Sequence, residues 1–449
     1  MKETMCKCFV TLFVVLAVKH GNGQALAPGF YNLHNDTFNY NLLVPVNSHP
    51  QQKYPLIMYL HGYQSQVDLP WFNDAVQQQE PCFMFVPLCN DAWGGSSWGG
   101  TYDLGWNSYP NDLRPAMASA LNSIDSLKNR YPIDTNRIIV YGGSMGAEGV
   151  FMLMVKKPTL FAAAVAVAGY TLTVQADQMA QTPLWILHGG SDVYWDGDTP
   201  WYLTVSSRNI YAAILAAGGM RVRYTEYPGL DHVSVWGRVE EQADIVPFML
   251  AQNKSKSVLH TAPQAVTNFK CRMVYTVPTL FWDPPSDTSA PDKKIWYYRI
   301  YRNDQLVVTQ DKDTLSQIDT TAQHDSGYTY KMTAVNLTFN ESAMSNSAAL
   351  TSRINPSVRK KNETLYFDNV SVKSNGSGIN VSLNVNKAGM YSIAICNSGG
   401  KTVCGEKSRY CHIGFQTVSW SAPGAASGLY IAEIKTPLVK KMIRFVFKK

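Results

Sequence analysis

The chain has 449 residues, and 45% of them are hydrophobic, a share that excludes large-scale disorder. At about 150 residues per domain, this length predicts two to three domains. Residues 24–252 carry 11 Lys and Arg against 19 Asp and Glu, whereas residues 253–449 carry 25 against 13. An acidic front and a basic rear indicate separate units. The basic residues of the rear are scattered, which favours a solvated face, and we predict no nucleic-acid partner.

The first 23 residues are typical of a secretory signal peptide. Early lysines precede an apolar run from Cys8 to Val18, and small and polar residues follow it. Such a run is too short to cross a bilayer as a helix. The alternative is a buried N-terminal strand. We therefore expect a bacterial protein that is secreted or displayed at the cell surface after cleavage of residues 1–23.

Six cysteines remain after this segment, and export permits disulfides. Cys82 and Cys89 could close a short loop, while the last three cysteines crowd one C-terminal segment and leave the pairing open. The six are Cys82, Cys89, Cys271, Cys396, Cys404 and Cys411. Their spacing is not that of a zinc site, so we predict no metal.

Residues 24–252 predict an α/β domain. After an opening hairpin, "GFYNLHNDTFNYNLLVPV", apolar runs alternate with helical patterns such as "LRPAMASALNSIDSLKNRY". The runs are "PLIMYLHGY", "CFMFVPL", "RIIVYGG", "FAAAVAVAG", "PLWILHGG" and "VRYTEYPG". This alternation indicates a doubly wound, mainly parallel sheet that is covered on both faces.

Gly142-Gly143-Ser144-Met145-Gly146 joins one of these runs to a helix-like stretch. G-x-S-x-G between a strand and a helix is the pattern of a nucleophile elbow, in which a strained turn exposes the serine hydroxyl. The five residues alone are a weak signal, because glycine and serine are common. The rest of a hydrolytic site in the expected order strengthens it.

Two further residues complete a candidate triad. In a parallel sheet the residues that follow each strand share one rim. Asp192 follows "PLWILHGG" and His232 follows "VRYTEYPGL", which gives the order nucleophile, acid, histidine. A histidine takes the proton of the serine, and a carboxylate holds the imidazole in the correct tautomer. We therefore predict Ser144, Asp192 and His232 as catalytic residues.

Each assignment has rivals. Asp196 and Asp198 lie in the same loop as Asp192. His61 and His188 stand at other strand ends, and we interpret both as structural residues that orient loops through hydrogen bonds. Asp231 is interpreted as a turn residue.

The remaining predictions concern the oxyanion and the substrate. The backbone N–H of Met145 and one from the Gly62-Tyr63 turn would stabilise a tetrahedral oxyanion, each donor being worth about 3 kcal/mol. The chemistry needs no cofactor. Trp93, Trp98 and Trp106, in a glycine-rich loop, and Trp236 beside the histidine are candidate substrate-binding residues that could stack on a sugar or an aromatic acyl group. The alternative is that these tryptophans pack onto the core, and Trp201 invites the same two interpretations.

"RIIVYGGSMGAEGVFMLMVKKPTLFAAAVAVAG", "TPLWILHGGSD" and "RYTEYPGLDHVSVW" resemble secreted α/β-hydrolase esterases of carbohydrate esterase family one and of the predicted-peptidase, phospholipase-carboxylesterase-like type. The resemblance covers residues 30 to 250 and implies Ser144, Asp192 and His232 as the triad. Two features depart from it: Ala147 stands where a second glycine is usual, and "YWDGDTPWY" follows the acid.

This resemblance implies a monomeric serine esterase acting on acetyl or feruloyl esters of plant cell-wall polysaccharide, or on small esters. A serine peptidase of the prolyl-oligopeptidase type is the enzymatic alternative. A carbohydrate-binding or adhesion protein with a lapsed hydrolase domain is the non-enzymatic one.

Two small all-β sandwich domains are predicted behind the hydrolase. After a linker at 253–262, residues 263–353 resemble a fibronectin type III domain, with Trp282 as its early buried tryptophan and Tyr328 as its tyrosine corner. After a second linker at 354–364, residues 365–449 resemble the C-terminal sorting domains of the type IX secretion route, which implies secretion machinery as a partner. A small carbohydrate-binding sandwich is the alternative.

Overall fold

The computed structural model divides into two compact units, Met1–Thr261 with Leu337–Phe339, and Ala262–Asn336 with Asn340–Lys449. The structure describes residues 16–19, 26–35, 38–45, 49, 51–62, 76–78, 80–89, 98–99, 112–196, 199–255, 261–274, 277–288, 293–319, 321–322, 327–351, 366–375, 378–387, 389–397, 402–411, 414–421, 426–436 and 440–447.

The first unit alternates strands and helices along the chain. Its strands are β1 (Leu16–Lys19), β2 (Gly29–Asn35), β3 (Phe38–Val44), β4 (Tyr54–Leu60), β5 (Phe83–Pro87), β6 (Ile133–Gly143), β7 (Ala163–Val167), β8 (Leu184–Gly189), β9 (Val193–Asp196), β10 (Thr199–Tyr202) and β11 (Val222–Tyr227). Its helices are α1 (Pro115–Arg130), α2 (Met145–Lys156), α3 (Ala176–Met179), α4 (Leu203–Ala216), α5 (Val235–Glu240) and α6 (Ile245–Ala251).

The strands other than β9 and β10 form one sheet in the order β1-β2-β3-β5-β4-β6-β7-β8-β11. From β5 to β11 neighbouring strands are parallel, while β2 and β3 form the predicted antiparallel hairpin. Every residue of β7 and β8 is buried, as expected for parallel strands covered on both faces. The carboxyl ends of β4, β6, β8 and β11 therefore meet at one rim.

Two predictions concern the N-terminal segment and the cysteines. β1 lies inside the predicted signal peptide and pairs with β2, so cleavage of that segment stays a prediction. The predicted loop closure by Cys82 and Cys89 is wrong, because Cys82 is a free, buried thiol that contacts Gln77 Nε2 at 3.3 Å. Cys271, Cys396 and Cys411 are also free. Burial raises the pKa of the Cys271 thiol to about 12.

The second unit is built from antiparallel sheets. Its strands are β12 (Thr267–Val274), β13 (Val277–Asp283), β14 (Tyr297–Arg302), β15 (Gln305–Asp311), β16 (Ser316–Ile318), β17 (Gly327–Val335), β18 (Ala348–Thr351), β19 (Phe367–Asn375), β20 (Gly378–Val385), β21 (Gly389–Asn397), β22 (Thr402–Cys411), β23 (Gly414–Ser421), β24 (Gly428–Lys435) and β25 (Lys440–Phe447). Sheets β12-β13-β16 and β15-β14-β17-β18 share one core. Sheets β19-β20-β23 and β22-β21-β24-β25 share another. The predicted fold class, an α/β-hydrolase followed by two small sandwiches, is confirmed.

The aromatic residues of the first sandwich are only partly as predicted. Trp282 is buried and packs edge-to-face on Tyr298, with ring centroids 5.4 Å apart. Tyr328 lies half-buried under the guanidinium of Arg302, whereas Tyr330 is the fully buried tyrosine. The hydroxyl of Tyr330 donates to Asp319 Oδ2 at 2.8 Å, so Tyr330 is the tyrosine that ties this strand to a neighbouring loop.

Among the described residues, none of the helices combines the length and the apolar character that a membrane span needs.

Candidate active site

Ser144 occupies the turn between β6 and α2. Its backbone has φ 54° and ψ −122°, a strained conformation for a residue with a side chain, and its N–H donates to Val167 O at 2.8 Å. A methyl group on Gly146 would lie 2.9 Å from the carbonyl oxygen of His61 and closer to Leu60. Glycine at 146 therefore lets α2 start directly against the end of β4, as a nucleophile elbow requires.

Ala147 is accommodated by a glycine opposite it. Its side chain is fully buried. A methyl group on Gly169 would lie 3.2 Å from the carbonyl carbon of Ala147 and would overlap its methyl group. The extra carbon at position 147 thus fills space that Gly169 leaves open.

His232 lies between Ser144 and Asp192. Its Nε2 is 2.9 Å from Ser144 Oγ, and its Nδ1 is 2.8 Å from Asp192 Oδ2. An ionised carboxylate only accepts hydrogen bonds, so Nδ1 carries the proton and Nε2 is left to accept from the serine hydroxyl. The side chain of His232 is 36% exposed, whereas that of Asp192 is 1% exposed. The structure therefore brings the three predicted residues together in an arrangement that allows the serine proton to be removed.

The carboxylate of Asp192 stays ionised despite its burial. Burial raises its pKa, but hydrogen bonds from His188 and His232 outweigh this and hold the pKa of Asp192 below its usual value. A negative charge is thus kept beside the imidazole, where it can stabilise the imidazolium that forms when His232 takes a proton.

Backbone hydrogen bonds join the acid loop (residues 190–192) to the end of β11 and the histidine loop that follows it (residues 228–232). Gly190 N donates to Tyr227 O at 2.8 Å, and Ser191 N donates to Leu230 O at 2.9 Å. A methyl group on Gly189 would lie 2.9 Å from Asp231 O, so only glycine permits this approach. Gly189 at the end of β8 and Gly190 after it therefore set the distance between acid and base.

Asp231 is a turn residue, as predicted. It is exposed, and its Oδ1 accepts hydrogen bonds from Ser234 N at 2.8 Å and Val233 N at 3.2 Å. A bond from the Ser234 hydroxyl at 2.6 Å, with these two backbone bonds, holds the pKa of Asp231 below its usual value. Asp198 and the side chain of Asp196 lie outside the described residues.

His61 orients the loop after β4. Its Nδ1 donates to Gly62 O at 2.7 Å, and its Nε2 accepts from Cys89 N at 3.0 Å. Burial lowers the pKa of His61, which keeps this imidazole neutral. Gly62 lies at the same rim as Ser144, while Tyr63 lies outside the described residues. Met145 is the first residue of α2, so its N–H has no acceptor within the helix and is available to an oxyanion.

The predicted substrate-binding tryptophans separate into different groups. The prediction that Trp98 binds substrate is wrong. The Trp98 side chain is 0% exposed and its Nε1 donates to His61 O at 3.0 Å, so Trp98 is part of the core. Trp236 lies beside the site. Its ring stands edge-to-face against that of His232, with the ring centroids 6.4 Å apart. Trp93, Trp106 and the side chain of Trp201 lie outside the described residues. "YWDGDTPWY" contributes the antiparallel pair β9 and β10.

Sequence reasoning gave His188 a structural role but missed its partners. His188 Nε2 is 2.9 Å from Asp192 Oδ2, and its Nδ1 is 2.7 Å from Ser207 Oγ. His188 and Ser207 are both 0% exposed. The sequence signal was the spacing of four residues between His188 and Asp192 across a glycine pair. Within the described part of the chain, no cluster of His, Cys, Asp or Glu is placed to hold a metal ion.

Comparison with known proteins finds one family model and several solved structures that match part of the chain. Residues 116–221 match the prolyl oligopeptidase family. The chain is similar to a thermostable esterase, with 28% identity over 48% of this chain and a TM-score of 0.41, and it spans 59% of that esterase. It is also similar to a CE1 ferulic acid esterase from Anaeromyces mucronatus in complex with ferulic acid, with 14% identity, 53% and 94% of the two chains covered, and a TM-score of 0.35.

An S-formylglutathione hydrolase from Agrobacterium tumefaciens is similar at 14% identity, with 52% and 99% of the two chains covered and a TM-score of 0.37. No curated protein sequence matches the chain. The segment that matches the prolyl oligopeptidase family contains Ser144 and Asp192. Both residues contact His232, so the chain carries the catalytic triad of a serine hydrolase on an α/β-hydrolase fold.

Proposed function

We propose that the protein is a secreted carboxylic ester hydrolase that works through an acyl-enzyme on Ser144. The observation that carries the proposal is the hydrogen-bonded line Ser144–His232–Asp192, which starts at a strained turn. Neither the acyl transfer nor the hydrolysis needs a metal or an organic cofactor.

In acylation, His232 Nε2 takes the proton of Ser144 Oγ as the oxygen attacks the ester carbonyl. The Met145 N–H and a donor from the Gly62-Tyr63 turn stabilise the oxyanion. The tetrahedral intermediate collapses when His232 returns the proton to the leaving alcohol. In deacylation, His232 activates a water molecule, which releases the acid and restores Ser144.

Acetyl or feruloyl esters on plant cell-wall polysaccharide are the substrate class that we favour. The resemblance of "RIIVYGGSMG" and "TPLWILHGGSD" to family-one carbohydrate esterases supports this choice. The indole of Trp236 beside His232 offers an aromatic surface at the site. A serine peptidase is the second candidate, because residues 116–221 match the prolyl oligopeptidase family and the same triad cleaves amides.

Hydrolysis of four substrates by the wild type and by Ser144→Ala tests this proposal. The panel is an aryl acetate, methyl ferulate, acetylated xylan and a prolyl peptide anilide. Ser144→Ala should reduce ester turnover by about four to six powers of ten. Ser126→Ala, an exposed serine on α1, is the matched control and should keep full activity.

Each outcome leads to a different function. Cleavage of the anilide alone would favour the peptidase. Absence of turnover by the wild type on every substrate would favour a binding or adhesion protein with a lapsed hydrolase.

A spacer of the fibronectin type III kind is the role proposed for residues 263–353. An export signal that secretion machinery recognises is the role proposed for residues 365–449. Deletion of residues 365–449 should then block surface display and leave ester turnover unchanged. Loss of turnover in the truncated protein would instead assign this segment to support of the catalytic unit.

The protein is proposed to act as a monomer, which light scattering of the purified protein tests.

A further inference from the structure

The hydrogen bonds of the Asp192 carboxylate converge on one oxygen. Oδ2 lies 2.8 Å from His232 Nδ1 and 2.9 Å from His188 Nε2. Oδ1 is buried and has no hydrogen-bond partner among the described residues. The orientation of this carboxylate therefore depends on two imidazoles, of which only His232 contacts the nucleophile.

The tautomer of His188 follows from its two neighbours. Since ionised Asp192 can only accept, His188 donates through Nε2–H. Its Nδ1 then accepts from the hydroxyl of Ser207, 2.7 Å away. Both side chains are wholly buried, so water does not compete for these bonds.

The first turn of α4 anchors this arrangement at both ends. Leu203 N donates to Asp192 O at 3.1 Å, and Thr204 Oγ1 donates to Gly189 O at 2.6 Å. Ser207 lies in the same turn region and faces His188. One short helical segment thus fixes the backbone of the acid loop and, through Ser207 and His188, the side chain of the acid.

We propose that His188 and Ser207 are positioning residues of the triad, which hold the Asp192 carboxylate so that Oδ2 faces Nδ1 of His232. The inference rests on the proposed catalytic roles of Ser144, Asp192 and His232. Without the N–H of His188, the buried carboxylate keeps one donor, and both its rotation and its protonation become easier. His232 then loses the constraint that keeps its Nε2 lone pair directed at Ser144.

Three substitutions separate positioning from packing. His188→Phe keeps the ring volume and removes the donor, whereas His188→Gln keeps an N–H at about the reach of Nε2. Ser207→Ala removes the bond that fixes the tautomer. Ser123→Ala, a buried serine on α1 with a hydrogen bond to Ser119 O, is the matched control.

The readouts are kcat and KM for an aryl ester, the thermal midpoint, and the rate at which a fluorophosphonate labels Ser144. His188→Phe should lower kcat and the labelling rate by about 10- to 100-fold with KM within about twofold. His188→Gln should recover most of this loss. Ser207→Ala should lose about 3- to 10-fold, and the control should lose nothing.

The proposal is overturned if His188→Phe is as active as the wild type. It is also overturned if His188→Phe and His188→Gln lose activity equally and both losses parallel a fall in the thermal midpoint. If His188→Phe does not fold, the comparison of Ser207→Ala with Ser123→Ala decides. The labelling rate needs no correct choice of substrate, so a wrong ester leaves this test intact. A wild type whose Ser144 is not labelled overturns the proposed function, and this inference with it.

Discussion

Replacement of Gly143 by alanine is expected to slow catalysis through Trp236. A methyl group at position 143 would lie 2.6 Å from Cζ3 of the Trp236 indole and closer still to Cη2. Because carbon contacts are ordinarily about 3.5–4.0 Å, the indole has to withdraw by roughly 1.5 Å. The same indole stands edge-to-face against His232, so its movement reaches the base that serves Ser144.

The expected loss is large enough to measure by steady-state kinetics. A displacement of about 1 Å in a catalytic group costs about 100-fold in rate, or about 2.7 kcal/mol. Overpacking should also lower the free energy of unfolding by about 1–3 kcal/mol. In a Trp236→Ala background the obstacle is gone, so Gly143→Ala should cost at most about threefold there, which gives a coupling energy of about 2–3 kcal/mol.

Gly237→Ala is the matched control, since a methyl group at this neighbour of Trp236 meets no atom within 4 Å. Its kcat should stay within about twofold of the wild type. Additive losses in the double variant would refute the reasoning, because they would show that Gly143 acts independently of the indole. Wild-type kcat in Gly143→Ala would refute it directly.

Further predictions concern the acid, the core and the thiols. Asp192→Asn should lower kcat by about 10⁴-fold, whereas Asp231→Ala should lower kcat by less than about tenfold. Steady-state kinetics of both variants measures this difference. Burial raises the pKa of Asp192, but the hydrogen bonds from His188 and His232 outweigh burial and leave the folded-state pKa below the unfolded value of about 3.9. Ionised Asp192 therefore stabilises the fold above the unfolded pKa. This contribution is lost as the pH falls through the folded-state pKa. Urea unfolding at several pH values should therefore show a flatter dependence below about pH 5 in Asp192→Asn. Trp98→Ala should cost about 3–5 kcal/mol of stability in thermal unfolding, and a normal midpoint would contradict its core position. Cys82 should react with a thiol reagent only after denaturation; an intact mass with Cys82 oxidised would contradict the free thiol.

The sheet and the order of the site could be predicted from the sequence because both depend on local patterns. Apolar runs such as "RIIVYGG" alternate with helical stretches, and this alternation predicts parallel strands whose ends share a rim. Ser144, Asp192 and His232 each follow such a run directly. Their proximity therefore needed only the rule for strand ends, without knowledge of any side-chain distance.

The contacts between side chains were decided by the tertiary structure. Trp98 could not be assigned to the core from its glycine-rich neighbours, since its burial depends on packing against α2 and His61. The contact of His188 with Ser207, nineteen residues further along the chain, likewise depends on where α4 lies relative to β8.

Tyr328 and Tyr330 illustrate the same limit within a strand. They share a face of β17, and their difference in burial comes from what covers each position, which is Arg302 over one and the sandwich core over the other. The sequence by itself thus determined which segments form strands and which residues stand at their ends, because the period of apolar residues is local. Only the tertiary structure decided which side chains meet, because those distances are set by close approaches between segments far apart in the chain, such as Gly189 against Asp231.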